Sequence, residues 1–242
     1  MQLAALLTVL LTVLAGLLVS TLAATPSEAA SSPEATGTTG SQTTESIGTT
    51  GTTLPAYRYS IRKLDADLKA RMRYSWHSGC PVPRYKLRYI RMTYYGFDGA
   101  AHQGEMVVHR YWARRVVGAF RDVYAARFPI RQMRLVDDFK GSDDASMAAN
   151  NTSAFNCRKV TGGSSWSQHS YGRALDINPV QNPYVSGSTV EPPAGKAYVD
   201  RSPRRKGMVR AAVRDAFTDI GWEWGGYWRS IKDYMHFSSN NR

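Results

Sequence analysis

Lysine and arginine are missing from the first 54 residues of this 242-residue chain, which carry only Glu28, Glu34 and Glu45 as charges. Large apolar residues are almost missing from Thr25 to Leu54, a run of Thr, Ser, Gly, Ala and Pro. Such a segment cannot bury enough surface to offset its ordering entropy, which excludes a folded core there and predicts a flexible linker over 25–54. Cysteine is reduced to Cys80 and Cys157. Neither lies near Ala23 or Ala24, which argues against a lipoprotein anchor. No internal repeat is visible, and no recognised nucleic-acid motif.

What is present begins with an apolar run from Leu3 to Ala24, broken only by small residues and hydroxyls. It reads as a secretory signal over 1–24 with a small-residue cleavage site. The basic n-region is lacking, and about 20 apolar residues can just span a bilayer, so an uncleaved signal anchor stays open. After signal removal no stable membrane insertion is expected. At Pro55 the composition shifts abruptly to Tyr, Trp and Arg, and about 188 residues remain, enough for one domain with a real core over 55–242.

The net charge of +12 rises on that domain, where 31 basic residues face 16 acidic ones. A basic exported domain expects an anionic partner such as cell-wall polymer, membrane surface or nucleic acid, although scattered cations also make an ordinary solvated surface. With no nucleic-acid motif and export expected, nucleic acid is not the expectation. Two cysteines in an exported protein of this size usually pair. A Cys80–Cys157 bond closes a loop of about 78 residues and contributes roughly 4 kcal/mol in the chain-entropy view; two buried free thiols are the alternative.

Arg84 to Phe97 alternates roughly and reads as a strand, with Asp98-Gly99 as the turn and Gln103 to Val108 as the returning partner. Trp112, Val116, Phe120, Val123 and Tyr124 fall at helical spacing, predicting a helix over about 109–127 stopped by Pro129. Arg131 to Phe139 reads as a strand, Gly141 to Thr152 as polar turns, and Gly207 to Ile220 as a helix. Short strands are expected at Ala174 to Asn178 and Tyr234 to Phe237. Strands and helices without regular βαβ alternation point to an α+β domain with a mainly antiparallel sheet and flanking helices.

The chemistry concentrates in Ser167-Gln168-His169-Ser170-Tyr171-Gly172-Arg173-Ala174-Leu175-Asp176 and Asp233-Tyr234-Met235-His236. Two imidazoles and one carboxylate, with a fourth position for water, are the ligand set of a catalytic zinc site in a peptidase. His169 and Asp176 are seven apart, too far along one helix to share an ion, and Gly172 breaks helical continuity. A loop lifting His169 over the strand that carries Asp176 fits better, with His236 on a neighbouring strand. Alternation there puts Tyr234 and His236 on one face. Asp233 then needs a turn at 233–234 to reach the site.

These residues resemble the zinc peptidases that cut D-alanine-containing peptides of bacterial cell walls, a group spanning D-alanyl-D-alanine carboxypeptidases and L-alanyl-D-glutamate peptidases. The signature S-x-H-x-x-G-x-A-x-D, followed by an acid three before a second histidine, is matched by Ser167, His169, Gly172, Ala174, Asp176, Asp233 and His236. The likeness extends over roughly Gly104 to Phe237, through the segments from Ser146 to Arg158, Ile177-Asn178-Pro179, and Gly221 to Gly226. It implies Zn2+ held by His169, Asp176 and His236, Asp233 as general base, and Arg158 steadying a carbonyl oxygen or a substrate carboxylate. An Asp rather than a Glu at 233 resembles the L-alanyl-D-glutamate branch. The implied protein is an exported zinc-dependent peptidoglycan hydrolase acting on the peptide stem in the cell wall. Asp233 as an orienting partner of a ligand histidine, Glu223 as a rival base, and a metal-containing wall-binding module without turnover are the alternatives. His77, His102 and His109 have no companion pattern and receive no role.

Overall fold

The computed structural model describes residues 54–240. The signal expected over 1–24 and nearly all of the linker expected over 25–54 lie outside the described residues. From the N-terminal side come β1 (Tyr59–Arg62) and α1 (Ala66–Arg71), whose N-cap Asp65 accepts a hydrogen bond from Leu68 N at 2.9 Å. A 3-10 turn, Arg84–Lys86, leads into β2 (Leu87–Gly96), and a hairpin returns as β3 (Ala101–His109). Next come α2 (Ala113–Ala125), β4 (Pro129–Ile130), β5 (Gln132–Met133), α3 (Asp143–Ala148) and β6 (Asn151–Thr152). The C-terminal part holds β7 (Ala174–Asp176), β8 (Tyr184–Ser186), β9 (Thr189–Glu191), α4 (Ala211–Thr218), β10 (Glu223–Trp224), β11 (Lys232–Asp233) and β12 (His236–Ser238).

One sheet is β1-β2-β3, antiparallel, with β4 added parallel to β2. Two smaller antiparallel sheets, β10-β12-β7 and β11-β8-β9, carry the C-terminal motif residues, and β5-β6 form a parallel pair. The architecture is α+β and mainly antiparallel. At the β2–β3 turn Gly99 sits at φ +84 while Asp98 Oδ1 accepts from Ala100 N at 3.0 Å, the backbone and side-chain chemistry that a tight turn demands.

The main core lies between α2, α4 and the sheets. Val116, Phe120 and Val123 bury the apolar face of α2, and Phe120 meets Phe217 of α4 edge-on at 5.5 Å. Phe217 packs against Phe237 of β12 with the ring centres 4.7 Å apart and the rings tilted. Because strand side chains alternate, anchoring Phe237 in the core turns its neighbour His236 to the opposite face. A second cluster gathers Leu64, Leu68, Leu87, Val107 and Phe155, and the Cys80–Cys157 disulfide joins its margin.

Several elements differ from the sequence reading. The helix expected over 109–127 starts at Ala113, because His109 is still the last residue of β3 and Trp112 opens the helix without a side-chain cap. The helix expected over 207–220 is confined to Ala211–Thr218. The strand expected over Arg131–Phe139 shrinks to Gln132–Met133, followed by a 3-10 turn at Val136–Phe139. The reason is tertiary: buried Asp137 accepts hydrogen bonds from Tyr74 N and Ser75 N, both 2.9 Å, which a strand would point elsewhere. The polar stretch from Gly141 holds α3, capped by Ser142, whose Oγ accepts from Ala145 N at 3.1 Å.

Candidate metal centre

Three local structures bring His169, Asp176 and His236 together. Strands β7 and β12 run antiparallel with His236 directly opposite Asp176. On the other flank Ser153 bridges Asp176 through both backbone bonds, 3.1 and 2.9 Å, so the Asp176 backbone is fixed from two sides. His169 arrives on a 3-10 turn, Gln168–Tyr171, whose cap Ser167 Oγ accepts from His169 N at 3.3 Å. Gly172 ends that turn at φ +63, and a Cβ there would stand 2.6 Å from His109 N. The Ser and Gly of the motif are therefore structural: they shape and seat the turn that presents the histidine.

The ligand atoms converge closely. His169 Nε2 stands 3.2 Å from Asp176 Oδ2 and 3.3 Å from His236 Nδ1, which is 3.2 Å from Asp176 Oδ1. All three residues are buried. The backbone oxygen of Ala154 lies 2.6 Å from His169 Nδ1 and can only accept, so Nδ1 carries the proton and Nε2 keeps its lone pair. Tetrahedral ligands at 2.0–2.1 Å from a zinc ion stand about 3.3 Å apart, so these spacings and this donor set fit the ion. Burial alone would raise the Asp176 carboxyl. His169 and then His236 outweigh it and hold the carboxyl well below the usual range.

Asp233 ends β11, and the bend at Tyr234-Met235 separates it from β12. That bend is clamped by Trp224 Nε1 donating to Tyr234 O at 2.8 Å, Tyr234 N donating to Pro183 O at 3.2 Å, and Ile177 N donating to Met235 O at 3.0 Å. Gly225 packs against it: an added Cβ would meet Asp233 O at 2.7 Å. This explains the use of Trp224, Gly225 and Pro183 in the segments flanking the motif. Asp233 Oδ1 is sealed from solvent without a hydrogen-bond partner among the described residues. Burial pushes this carboxyl up to about 7; His236 pulls it down and Asp176 pushes it further up. A buried, unpartnered carboxylate oxygen that senses the charge of the cluster is a group awaiting a proton or a cation.

Arg158 is tied to the same region by its backbone. Its N–H donates to Ser170 Oγ at 2.9 Å, and its carbonyl accepts from that hydroxyl at 2.7 Å and from Ser167 N at 3.1 Å. Its guanidinium reaches Asp143 Oδ2 at 2.6 Å, while Nε has no partner. Sequence reasoning missed Asp143, which opens α3. Burial raises the Asp143 carboxyl, Arg158 lowers it, and Asp176 and His169 also act on it, so the ion pair lies within electrostatic reach of the metal-ligand group. The available signal was Ser142 followed by two acids, a helix start, ahead of an arginine that needs a counter-charge once half-buried. Glu223 is exposed and pairs with Ser238, two residues beyond His236. A second grouping, His77 with Cys80 and Cys157, offers no thiolate, because both sulfurs are in the disulfide.

The site thus has the donor set and spacing of a metallohydrolase centre. Residues 161–239 match the family model described as D-alanyl-D-alanine carboxypeptidase. The match supports the family recognised from the motif and a peptidoglycan peptidase function. It takes in His169, Asp176, Asp233 and His236, is shorter than the Gly104–Phe237 likeness, and leaves Arg158 and Asp143 outside. No curated protein and no solved structure matches the chain. Among the described residues, no helix is long and apolar enough to cross a membrane.

Proposed function

We propose that this chain is an exported zinc peptidase that hydrolyses a peptide bond of the peptidoglycan stem. The observation that carries the reading is the convergence of His169 Nε2, His236 Nδ1 and the Asp176 carboxylate at 3.2–3.3 Å from one another. Zinc held by these atoms would supply Lewis acidity, bringing the pKa of water from about 15.7 toward 7 and polarising a carbonyl. Asp233 takes one proton from the attacking water as its oxygen adds to the carbonyl carbon. The same carboxyl returns that proton to the nitrogen when the C–N bond breaks, leaving a carboxylic acid and an amine, which exchange the second water proton to become carboxylate and ammonium. Its rise to about 7 by burial suits a group that must both accept and donate near neutrality. Arg158, held by Asp143, presents positive charge to the carbonyl oxygen or to a substrate carboxylate. The disulfide fits action in an oxidising compartment outside the cytoplasm.

Digestion of purified muropeptides with and without a chelator tests the reading. Activity should vanish with the metal and return with zinc; turnover that survives complete metal removal refutes it. The mass of the products separates an L-alanyl-D-glutamate endopeptidase, which Asp at 233 favours, from a D-alanyl-D-alanine carboxypeptidase, which the family match names. A wall-binding module without turnover would give no product from either wild type or Asp233→Asn while both still sediment with peptidoglycan.

A further inference from the structure

Away from the metal-ligand group, Lys63, Lys69, Arg84, Arg88 and Arg110 line a cleft of about 730 Å³. The fold gathers them from separate places: the segment after β1, helix α1, the 3-10 turn before β2, the start of β2, and the residue after β3. The β2–β3 register places Leu87 opposite His109, so Arg88 and Arg110 share one end of the sheet. None of the five forms an ion pair with a carboxylate among the described residues. No carboxylate among the described residues lines the cleft; on the neighbouring segments Asp65 caps α1 and faces Arg62 at 3.8 Å, exposed Asp67 stands in the first turn of α1, and Glu105 is held by Arg71 and Tyr89. Arg84 is fixed with its guanidinium 4.0 Å from the Trp76 ring centre, and its Nε is sealed without a partner.

Five cations held together without counter-charge repel one another, and a bound polyanion relieves that repulsion. The volume far exceeds one phosphate group, so the ligand that fits is a chain bearing several charges. Arg84 covers one face of Trp76 and leaves Tyr85 as the one exposed aromatic lining the cleft, a single platform where base-stacking grooves use successive aromatics, which disfavours nucleic acid. We infer that this cleft binds a polymer of singly charged phosphates without bases, separately from the metal-ligand group. The surrounding field is registered by His109, whose imidazole is held below its usual pKa by burial and then by Arg110, Lys86, Arg173 and Arg88.

The test is fluorescence-detected binding of the full chain to linear polyphosphate across a salt series. Charge-matched polyglutamate and single-stranded DNA serve as comparison probes. Wild type should bind polyphosphate tightest, with a log–log salt slope of roughly 3 to 4, from about 0.7 per contacted charge. The triple variant Lys69→Gln/Arg88→Gln/Arg110→Gln leaves Arg84 on Trp76; it should bind at least tenfold more weakly with the slope reduced by about 2. The double variant Lys69→Gln/Arg110→Gln, two exposed positions, should weaken binding in the same direction if the triple folds poorly. Arg114→Gln/Arg121→Gln/Arg204→Gln removes the same charge from exposed positions elsewhere and should stay within twofold of wild type. Equal loss in both triples would show diffuse attraction and overturn the site. Equal or tighter binding of polyglutamate or DNA would overturn the ligand class. The readout is binding alone, so it stands or falls apart from the peptidase reading.

Discussion

Asp233 has the most consequential side chain in the proposed mechanism, because its burial is a cost that only function repays. Asp233→Asn keeps the shape and removes the base: kcat should fall by about 10² to 10⁴ with zinc content unchanged. The same substitution reads the burial directly in metal-free protein. A carboxyl raised to about 7 in the fold, from about 3.9 unfolded, makes the folded state hold the extra proton between those values. Its contribution therefore turns unfavourable as pH rises from 4 to 7. In denaturant unfolding of the metal-free proteins, the stability of Asp233→Asn relative to wild type should grow across that window and level off above it. Asp143 works one residue further out. Asp143→Asn strips the counter-charge from Arg158, so kcat/KM should fall about tenfold or more while zinc stays bound, because the metal-ligand atoms are untouched.

Element geometry decides whether those side chains meet. His169 depends on a four-residue 3-10 turn that closes through Gly172 at φ +63. Gly172→Ala brings both left-handed strain of about 1–3 kcal/mol and a contact with the β3–α2 junction, so weaker zinc retention and a lower Tm are expected in calorimetry with metal analysis. The grouping of His169, Asp176 and His236 was legible because a metal demands particular donor atoms at particular spacings, whereas the turn expected at 233–234 falls one residue later, at Tyr234-Met235. Other features were not legible. Asp137 turned an expected strand into a 3-10 turn through hydrogen bonds to Tyr74 and Ser75, partners more than 60 residues away in sequence. Asp143 lay inside a stretch that read only as polar turns, and its relation to Arg158 is a tertiary contact. Alternation and donor chemistry are local and can be read along the chain; tertiary pairing cannot.

At the scale of the whole molecule, the disulfide and the core share the task of holding β7, β12 and the His169 turn in register. Cys157 borders Arg158, and its N–H donates to Ser75 O at 2.9 Å, so the bond ties the second cluster of the fold to the site. Replacing both cysteines by alanine should lower stability by about 2–5 kcal/mol in urea unfolding. It should also reduce activity beyond what the loss of folded protein explains. The basic cleft would give the same molecule a means of engaging an anionic polymer that is independent of the proposed peptidase site.

The most direct measurement is stepwise zinc titration of metal-free protein, with stem-peptide hydrolysis followed by mass spectrometry. Activity should rise linearly and saturate at one zinc per chain for wild type, and His236→Ala should show neither the rise nor the plateau. Hydrolysis that is already full before zinc is added, or that is unchanged in His236→Ala, would contradict the assignment of His169, Asp176 and His236 as the centre of this protein's chemistry.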